Sequence, residues 1–256
     1  MTALFWAAVR FQAAHVWRSV NDLMVLVTLP LFTVAFLAVL VESDRRDLAP
    51  YAIVGSGAMS LWSMAVNISG GTIEGDRRNG VLEAAVATPA PLVVVLLGRI
   101  TAVTVISQIG LVESALVAWV GFGITIEVHH PLVFLLTVVC NTVAVVGTAT
   151  ALAGVFVLGR WALTLKSSLT YPFYVLGGAV VPVAFLPEWL QPLTRVVFLS
   201  WSAELLRDCL SPAAVRNVPA RLAVLLVLGA VAFAVGVWVI ERIMRRLRAL
   251  GTVGYA

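Results

Sequence analysis

The sequence predicts an all-α polytopic membrane protein with six transmembrane helices. Of its 256 residues, 61% are hydrophobic and only 12% are charged, whereas a soluble domain carries about 25% charged residues. Long uncharged stretches recur along the chain, and the 19 residues over 23–41 suffice for one helix to cross a hydrocarbon core of about 30 Å. These runs are continuous rather than alternating, which favours helices over the strands of a β-barrel. We therefore expect one membrane domain over residues 1–256.

The first 22 residues predict a helix that lies in the membrane interface. Aromatic and aliphatic side chains supply most of its surface, and four polar residues fall on one helical face: His15, Arg18, Ser19 and Asp22. A helix with one polar face and an apolar remainder is typical of the membrane–water boundary. An ordinary soluble segment before the first span is the alternative.

Five further spans are predicted, at residues 51–73, 99–124, 131–158, 169–184 and 220–240. Small residues are frequent in the second span, and Gly147, Ala151 and Gly154 of the fourth predict a close approach to a neighbouring helix. The fifth span is short for a full crossing and is interrupted by glycine and proline. We expect residues 185–210, which follow it, to form a re-entrant hairpin, because irregular backbone is tolerated at membrane depth where protein or water shields it.

The distribution of basic residues predicts the orientation. With both termini in the cytoplasm, the inner segments hold 11 basic residues and the outer segments hold 6. Since the cytoplasmic loops of membrane proteins are enriched in Lys and Arg, this topology is favoured. The net charge of +4 is spread over loops and termini, so it gives no argument for a nucleic-acid partner.

The segment over 74–91, between spans 2 and 3, predicts a cytoplasmic docking helix. Charged residues open it, Gly80 permits a turn, and a short apolar face follows before Thr88-Pro89. Such a helix can lie along the membrane and dock into the groove of another protein. On these residues alone, a solvated loop fits equally well.

Two groups of residues resemble motifs of a known family. The first group is Asp76, Arg77, Arg78, Gly80, Leu82, Glu83, Thr88 and Pro89, followed by Gly98-Arg99. The second group is Gly178, Pro182, Leu186, Pro187, Glu188, Trp189, Leu190, Trp201, Glu204 and Arg207. In order and spacing, both groups resemble the permease subunits of the type-2 ATP-binding cassette (ABC) exporters. The chain departs from that pattern at Val81, Arg99 and Phe198, where the family usually has Thr, Lys and Pro.

The resemblance implies a role for each group. The residues from Asp76 to Pro89 would form a coupling helix that presses into a separate ABC ATPase, with Glu83 and the arginines fixing its register. The second group would gate the outer end through the re-entrant hairpin. The family implies two permease chains, identical or paralogous, and two ATPase subunits in the inner (plasma) membrane of a bacterium, in contact with membrane lipid. The substrate path would lie between the permeases, lined by the first, second and fifth spans.

The expected cargo is a hydrophobic drug, antibiotic or lipid-like molecule exported from the cytoplasm or the inner leaflet. The Val, Leu and Ala character of the spans favours this class, and a polysaccharide or teichoic-acid exporter is the alternative. The sequence contains no G-x-x-x-x-G-K-[ST] phosphate-binding loop. We therefore expect no cofactor and no enzymatic activity in this chain, with ATP and Mg bound by the partner ATPase.

Polar residues within the spans are further candidates. A carboxylate in lipid is costly, so Glu113 in the third span either contacts substrate or bonds to a neighbouring helix, and Asn67 in the second span offers the same choice. His129-His130 lacks a third ligand close in sequence, so no metal site is expected. An intramembrane enzyme is the remote alternative, but the chain has neither H-E-x-x-H nor G-x-S-x-G.

Overall fold

The structure, a computed structural model, describes residues 1–78, 91–158 and 162–250, and every regular element in these ranges is a helix. Within them the α-helices are α1 (Thr2–Arg18), α2 (Val20–Glu42), α3 (Ala49–Arg78), α4 (Leu92–Ser107), α5 (Ile109–Phe122), α6 (Pro131–Leu158), α7 (Ala162–Leu176), α8 (Gln191–Thr194), α9 (Phe198–Leu210) and α10 (Val218–Leu250). Short 3-10 helices lie at Arg46–Leu48 and Val183–Phe185. The predicted all-α class is confirmed.

Three stretches of the described residues are long and apolar enough to cross a membrane. They are Leu92–Phe122, which joins α4 and α5, Pro131–Phe156 in α6, and Val218–Arg246 in α10. These stretches overlap the predicted third, fourth and sixth spans. Helix α7 has 15 residues, about 22 Å of helix, which is short of a full crossing. Helix α2 has 23 residues and overlaps the predicted first span, and the described apolar stretch within it is Pro30–Glu42.

The ends of α1 and α3 differ from the predicted ones. Helix α1 ends at Arg18 because Ser19 is extended, with φ −88° and ψ 110°. Asp22 therefore belongs to α2 and not to the polar face of α1, and α1 is shorter than the segment 1–22 that the sequence predicts as an interfacial helix. Helix α3 continues without interruption to Arg78. Residues 74–78 therefore extend the second predicted span instead of opening a separate helix.

Helix α3 lies at the centre of the bundle, where it contacts α2, α4, α5, α6, α7 and α9. Its residues 52–62 are all buried. The ring of Trp62 is fully buried and stacks on the ring of Phe173 in α7, with 4.1 Å between the ring centroids. A helix surrounded on every side in this way needs apolar residues around its whole circumference. This stretch of α3 accordingly reads as a continuous run of apolar and small residues.

The largest helix–helix contact joins α6 and α10 through glycines. A Cβ atom on Gly236 would lie 2.5 Å from the backbone nitrogen of Ala151, and a Cβ atom on Gly147 would collide with the carbonyl oxygen of Gly229. Gly154 lies farther along the same seam, where its Cβ would meet a side-chain methyl group of α10 at 3.1 Å. Small residues let two backbones approach closely where lipid surrounds the pair. The close packing predicted for the fourth span is therefore present, and its partner is the sixth.

Different helix ends meet at the two ends of the bundle. At one end, where α3 finishes and α4 begins, Leu92 belongs to the same apolar cluster as Met244 near the end of α10. At the other end, the first turns of α3 and α10 face α9, because Tyr51 lies against Arg207 and Arg221 contacts the same helix. We call the first the 79–90 end, after the segment that joins α3 to α4, and the second the hairpin end.

Candidate functional site

Helix α7 ends in a turn that requires glycine. Gly178 lies in the left-handed region, with φ of +65°. The N–H of Gly178 donates to the carbonyl oxygen of Val175 at 3.1 Å, and the N–H of Ala179 donates to that of Tyr174 at 3.0 Å. This is the hydrogen-bond pattern of a Schellman cap. The helix consequently stops at Leu176 and does not reach the predicted boundary at residue 184.

Arg207 of α9 joins this turn to the centre of the bundle. Its side chain is only 8% exposed, and its Nη2 donates a hydrogen bond to the carbonyl oxygen of Gly178. Its Cζ also lies 4.9 Å from the centroid of the Tyr51 ring at the start of α3. A buried guanidinium needs both kinds of partner, because an isolated charge is costly away from water. Arg207 thus connects α9 with the end of α7 and the start of α3.

Two acidic residues of α9 hold the first turn of α10. Asp208 Oδ2 accepts a hydrogen bond of 2.5 Å from Arg221 Nη1, and Glu204 Oε2 lies 3.5 Å from Arg221 Nη2. Glu204 and Asp208 are four residues apart, so they share one face of the helix. Burial raises the pKa of the Glu204 carboxyl, Asp208 adds to the rise, and Arg221 opposes it. Glu204 and Asp208 thus share one cation, Arg221.

These contacts define a hairpin-end cluster, whose members are Tyr51, Gly178, Glu204, Arg207, Asp208 and Arg221. Of its residues, Gly178, Glu204 and Arg207 are predicted from the sequence, and the structure brings these three to the same end of the bundle. Tyr51, Asp208 and Arg221 are missed, because none of them belongs to either motif. The sequence feature that could have identified Arg221 is its position as a basic residue at the start of an apolar span, close to acidic residues.

The remaining predicted hairpin residues take different positions. Pro182 caps the start of the 3-10 helix Val183–Phe185, and Leu186 is buried, at 9% exposure. Pro187 is exposed, and Trp189 is 74% exposed, so it makes no part of the cluster. This segment therefore places Leu186 in the protein interior and Trp189 on the surface.

At the 79–90 end, the structure gives the motif pair Gly98-Arg99 a physical role. A Cβ atom on Gly98 would lie 2.6 Å from the carbonyl oxygen of Phe5, so the glycine admits the backbone of α1. Arg99 Nε donates a hydrogen bond of 2.8 Å to Gln12 Oε1, and its Cζ lies 5.6 Å from the centroid of the Phe11 ring. The sequence-based prediction misses Gln12, which is 1% exposed. The two motif residues dock α1 against α4.

Only some of the predicted coupling residues lie in the part of the chain that the structure describes. Asp76, Arg77 and Arg78 form the last turn of α3. The other four, Gly80, Leu82, Glu83 and Pro89, lie outside the described residues.

Within the spans, Glu113 and Asn67 are placed on α5 and α3. Glu113 is half-buried, and its Oε2 is shielded from solvent without a hydrogen-bond partner among the described residues. The interhelical bonds at this level come from its neighbour, since Ser114 Oγ lies 3.1 Å from Ser56 Oγ of α3 and 3.2 Å from Thr33 Oγ1 of α2. This hydroxyl cluster joins three helices. The cluster thus makes the kind of interhelical hydrogen bond that one interpretation of the sequence assigns to Glu113.

A comparison with protein families identifies the chain. A family model described as ABC-2 type transporter matches residues 3–210, which extend from α1 through α9 and include both motif groups. No curated protein matches the chain in a sequence comparison. Because the family match covers most of the chain, the protein belongs to the ABC-2 type transporter family as an ABC permease.

Proposed function

We propose that this chain is the permease subunit of an ATP-driven exporter that moves a hydrophobic drug, antibiotic or lipid-like molecule out of the cytoplasm or the inner leaflet. The observation that carries the proposal is the ABC-2 family match over residues 3–210. The chain supplies the membrane path, and a separate ABC ATPase supplies ATP hydrolysis, since the sequence has no phosphate-binding loop.

The ATPase contact in this proposal is the 79–90 segment together with the last turn of α3. Helix α3 carries Asp76, Arg77 and Arg78 on the same continuous rod as the buried stretch 52–62. A push on one end of a continuous helix displaces its other end, because packed helices move as rigid units. Glu83 would set the register of the contact, and the short apolar face around Leu82 would supply most of the buried area.

The hairpin-end cluster is the proposed outer gate. It lies at the opposite end of the bundle from the ATPase contact, and α3 reaches both. Tyr51 at the start of α3 lies against Arg207, and Arg207 holds the carbonyl oxygen of Gly178 at the end of α7. A displacement of α3 would thus reach α9 and the end of α7 through one guanidinium.

The proposed assembly has two permease chains, each with six crossings and both termini in the cytoplasm. The resemblance implies a path lined by the first, second and fifth spans, and residues 52–62 of the second span are buried within their own chain. The first and fifth spans, α2 and α7, have exposed side chains. In α2, Leu31 is 62% exposed and Phe32 is 48% exposed, and in α7, Tyr171 is 72% exposed. We therefore place the substrate path along α2 and α7.

The exposed face of α7 supports a second cargo class as the alternative. Its exposed residues include Thr164, Ser168 and Tyr171, so three hydroxyl groups lie along one side of a helix. Hydroxyls and an aromatic ring suit a polysaccharide or teichoic-acid chain, whereas the apolar face of α2 suits a hydrophobic molecule. Proteoliposomes that hold the permease with its ATPase distinguish the two: we expect hydrophobic drugs to stimulate ATP hydrolysis and lipid-linked glycans to leave it unchanged.

The decisive test concerns the ATPase contact. The permease and its ATPase are purified together, and ATP hydrolysis and transport are measured for Glu83→Arg. We expect hydrolysis to continue while transport falls, because reversing this charge disrupts the register of the contact. Glu42→Arg is the matched control, since Glu42 is exposed at the hairpin end. Unchanged coupling in Glu83→Arg would remove the segment from the proposed contact.

A further inference from the structure

The end of α10 carries a basic groove that the proposed transport function does not use. The groove has a volume of about 430 Å³ and is lined by Trp238, Arg242, Arg245 and Arg246. All four side chains are exposed. Met244, between them in sequence, packs in the core, so this surface is the outward side of a helix whose other side is firmly held.

The charge of the groove favours an anionic ligand. Arg245 Nη2 lies 3.6 Å from Glu241 Oε2, an exposed i,i+4 ion pair that is only weakly held. Arg242 has its Cζ 5.3 Å from the centroid of the Trp238 ring, which orients its guanidinium without neutralising it. Three arginines against one glutamate leave the groove positive. Guanidinium groups bind phosphate oxygens in paired hydrogen bonds.

An apolar track leads into the groove along the same face of α10. Val231 is 57% exposed, Val235 is 50% exposed and Trp238 is 56% exposed. Together with Arg242 and Arg245 they recur at helical spacing, on the side opposite the glycine seam with α6. A hydrocarbon chain on this track would place its polar end among the arginines. Tryptophan at such a boundary is typical of the headgroup level of a bilayer.

We propose that this groove binds an anionic phospholipid, with its phosphate between Arg242 and Arg245 and an acyl chain along Val231 and Val235. The position fits, because α10 is one of the stretches that can cross a membrane and its apolar run ends at Ile240, directly before Glu241 and Arg242. Basic residues directly after a span attract anionic lipid headgroups. The lipid would anchor the last span at the 79–90 end, where α10 meets the start of α4.

The test uses the full-length chain alone in neutral detergent, without ATPase or substrate, so its outcome is independent of the proposed function. Phosphatidylglycerol and phosphatidylcholine are titrated, and bound lipid is measured by native mass spectrometry. For Arg242→Gln/Arg245→Gln, phosphatidylglycerol affinity falls by roughly thirtyfold, the value expected when two arginines beside an anionic surface are removed. Phosphatidylcholine retention stays unchanged. Arg46→Gln/Arg195→Gln, which removes two exposed arginines elsewhere, retains the wild-type affinity.

Two further measurements can overturn the proposal. Glycerol phosphate is added as a soluble headgroup, and if it binds as tightly as the lipid, the ligand is a free phosphate compound and not a phospholipid. If the double variant keeps its phosphatidylglycerol and instead loses the ATPase subunit, the groove is a protein interface. Trp238→Ala retains every arginine and should weaken lipid binding several-fold. This variant tests the site even where the double variant does not fold.

Discussion

Arg207 and Gly178 are joined by a hydrogen bond from a buried guanidinium to a backbone carbonyl at the end of a helix. The two residues are 29 positions apart in sequence. Each supplies a hydrogen-bond partner to the other. The carbonyl of Gly178 follows the last turn of α7, so it has no intrahelical partner. The charge of Arg207 is buried and needs an acceptor. This contact fixes how α9 meets the end of α7.

Removing the guanidinium should destabilise the protein. We expect Arg207→Met to lower the free energy of unfolding by about 1–3 kcal/mol, the cost of leaving one buried acceptor unsatisfied. Arg207→Lys should recover part of the loss, because an ammonium retains the charge but not the forked geometry. Unfolding by denaturant in mixed micelles measures both variants. Arg195→Met, at an exposed position, should change the free energy by less than about 0.5 kcal/mol, and an equal loss in both variants would contradict the role of the contact.

A side chain at Gly178 should be costly for a different reason. Its φ of +65° is in the left-handed region, so Gly178→Ala should cost about 1–2 kcal/mol. Gly71 offers a control of opposite sign, because it lies inside α3 and a Cβ atom added there would have no neighbouring atom within 4 Å among the described residues. Gly71→Ala should therefore gain about 0.5–1 kcal/mol in helix propensity. Thermal unfolding of the two variants side by side gives the comparison, and a stabilised Gly178→Ala would show that the turn differs.

Glu204, which shares Arg221 with Asp208, should make the stability of the protein depend on pH. Burial raises the pKa of Glu204 from its ordinary value of 4.5, so the folded state favours the protonated carboxyl. Its contribution to stability is therefore complete below pH 4.5 and is lost as the pH rises through the raised value. Glu204→Gln imitates the protonated form, so it should flatten the pH profile of the unfolding midpoint and cost little at neutral pH.

Asp208→Asn is the matched comparison for that profile. Asp208 makes the shorter contact with Arg221, at 2.5 Å, and its loss leaves the partly buried guanidinium with Glu204 alone. We expect the unfolding midpoint of Asp208→Asn to fall at neutral pH. If Glu204→Gln is the more damaging of the two at pH 7, the ionised form of Glu204 is the stabilising one and the assignment is wrong.

The hairpin-end cluster also shows how far sequence-based prediction reaches. Composition and run length predict the spans of α4, α6 and α10, because the bilayer demands a minimum apolar length. The motif predicts that Gly178 and Arg207 belong to one functional region. It does not predict their contact, which depends on how α7 ends and how α9 packs. Helix ends are equally hard to predict. The helix breaks at Ser19, whose backbone is extended, although neither proline nor glycine stands there.

Larger side chains at the glycine positions of the seam between α6 and α10 should destabilise the protein. A Cβ on Gly229 would lie 2.6 Å from the backbone Cα of Ala144, so Gly229→Leu must push the helices apart. We expect a loss of at least about 1–3 kcal/mol, the usual cost of overpacking. The neighbouring Ala230 is exposed, and Ala230→Leu should be nearly neutral. Equal stability of the two variants in mixed micelles would mean that the seam tolerates separation.

Docking of α1 should depend on Gln12, although an isolated glutamine in an amphipathic helix reads from sequence as a solvent-facing residue. Its Oε1 accepts from Arg99 Nε at 2.8 Å, and the side chain is 1% exposed. Hydrogen bonds to charged groups contribute about 1.5–3 kcal/mol, so Gln12→Leu should lose that amount. Hydrogen exchange is the measurement, because loss of the bond should raise exchange in α1 while the core of α3 stays protected. His15→Leu changes an exposed residue of the same helix and should leave exchange unchanged; matching protection of α1 in both variants would show that Gly98 alone sets the contact.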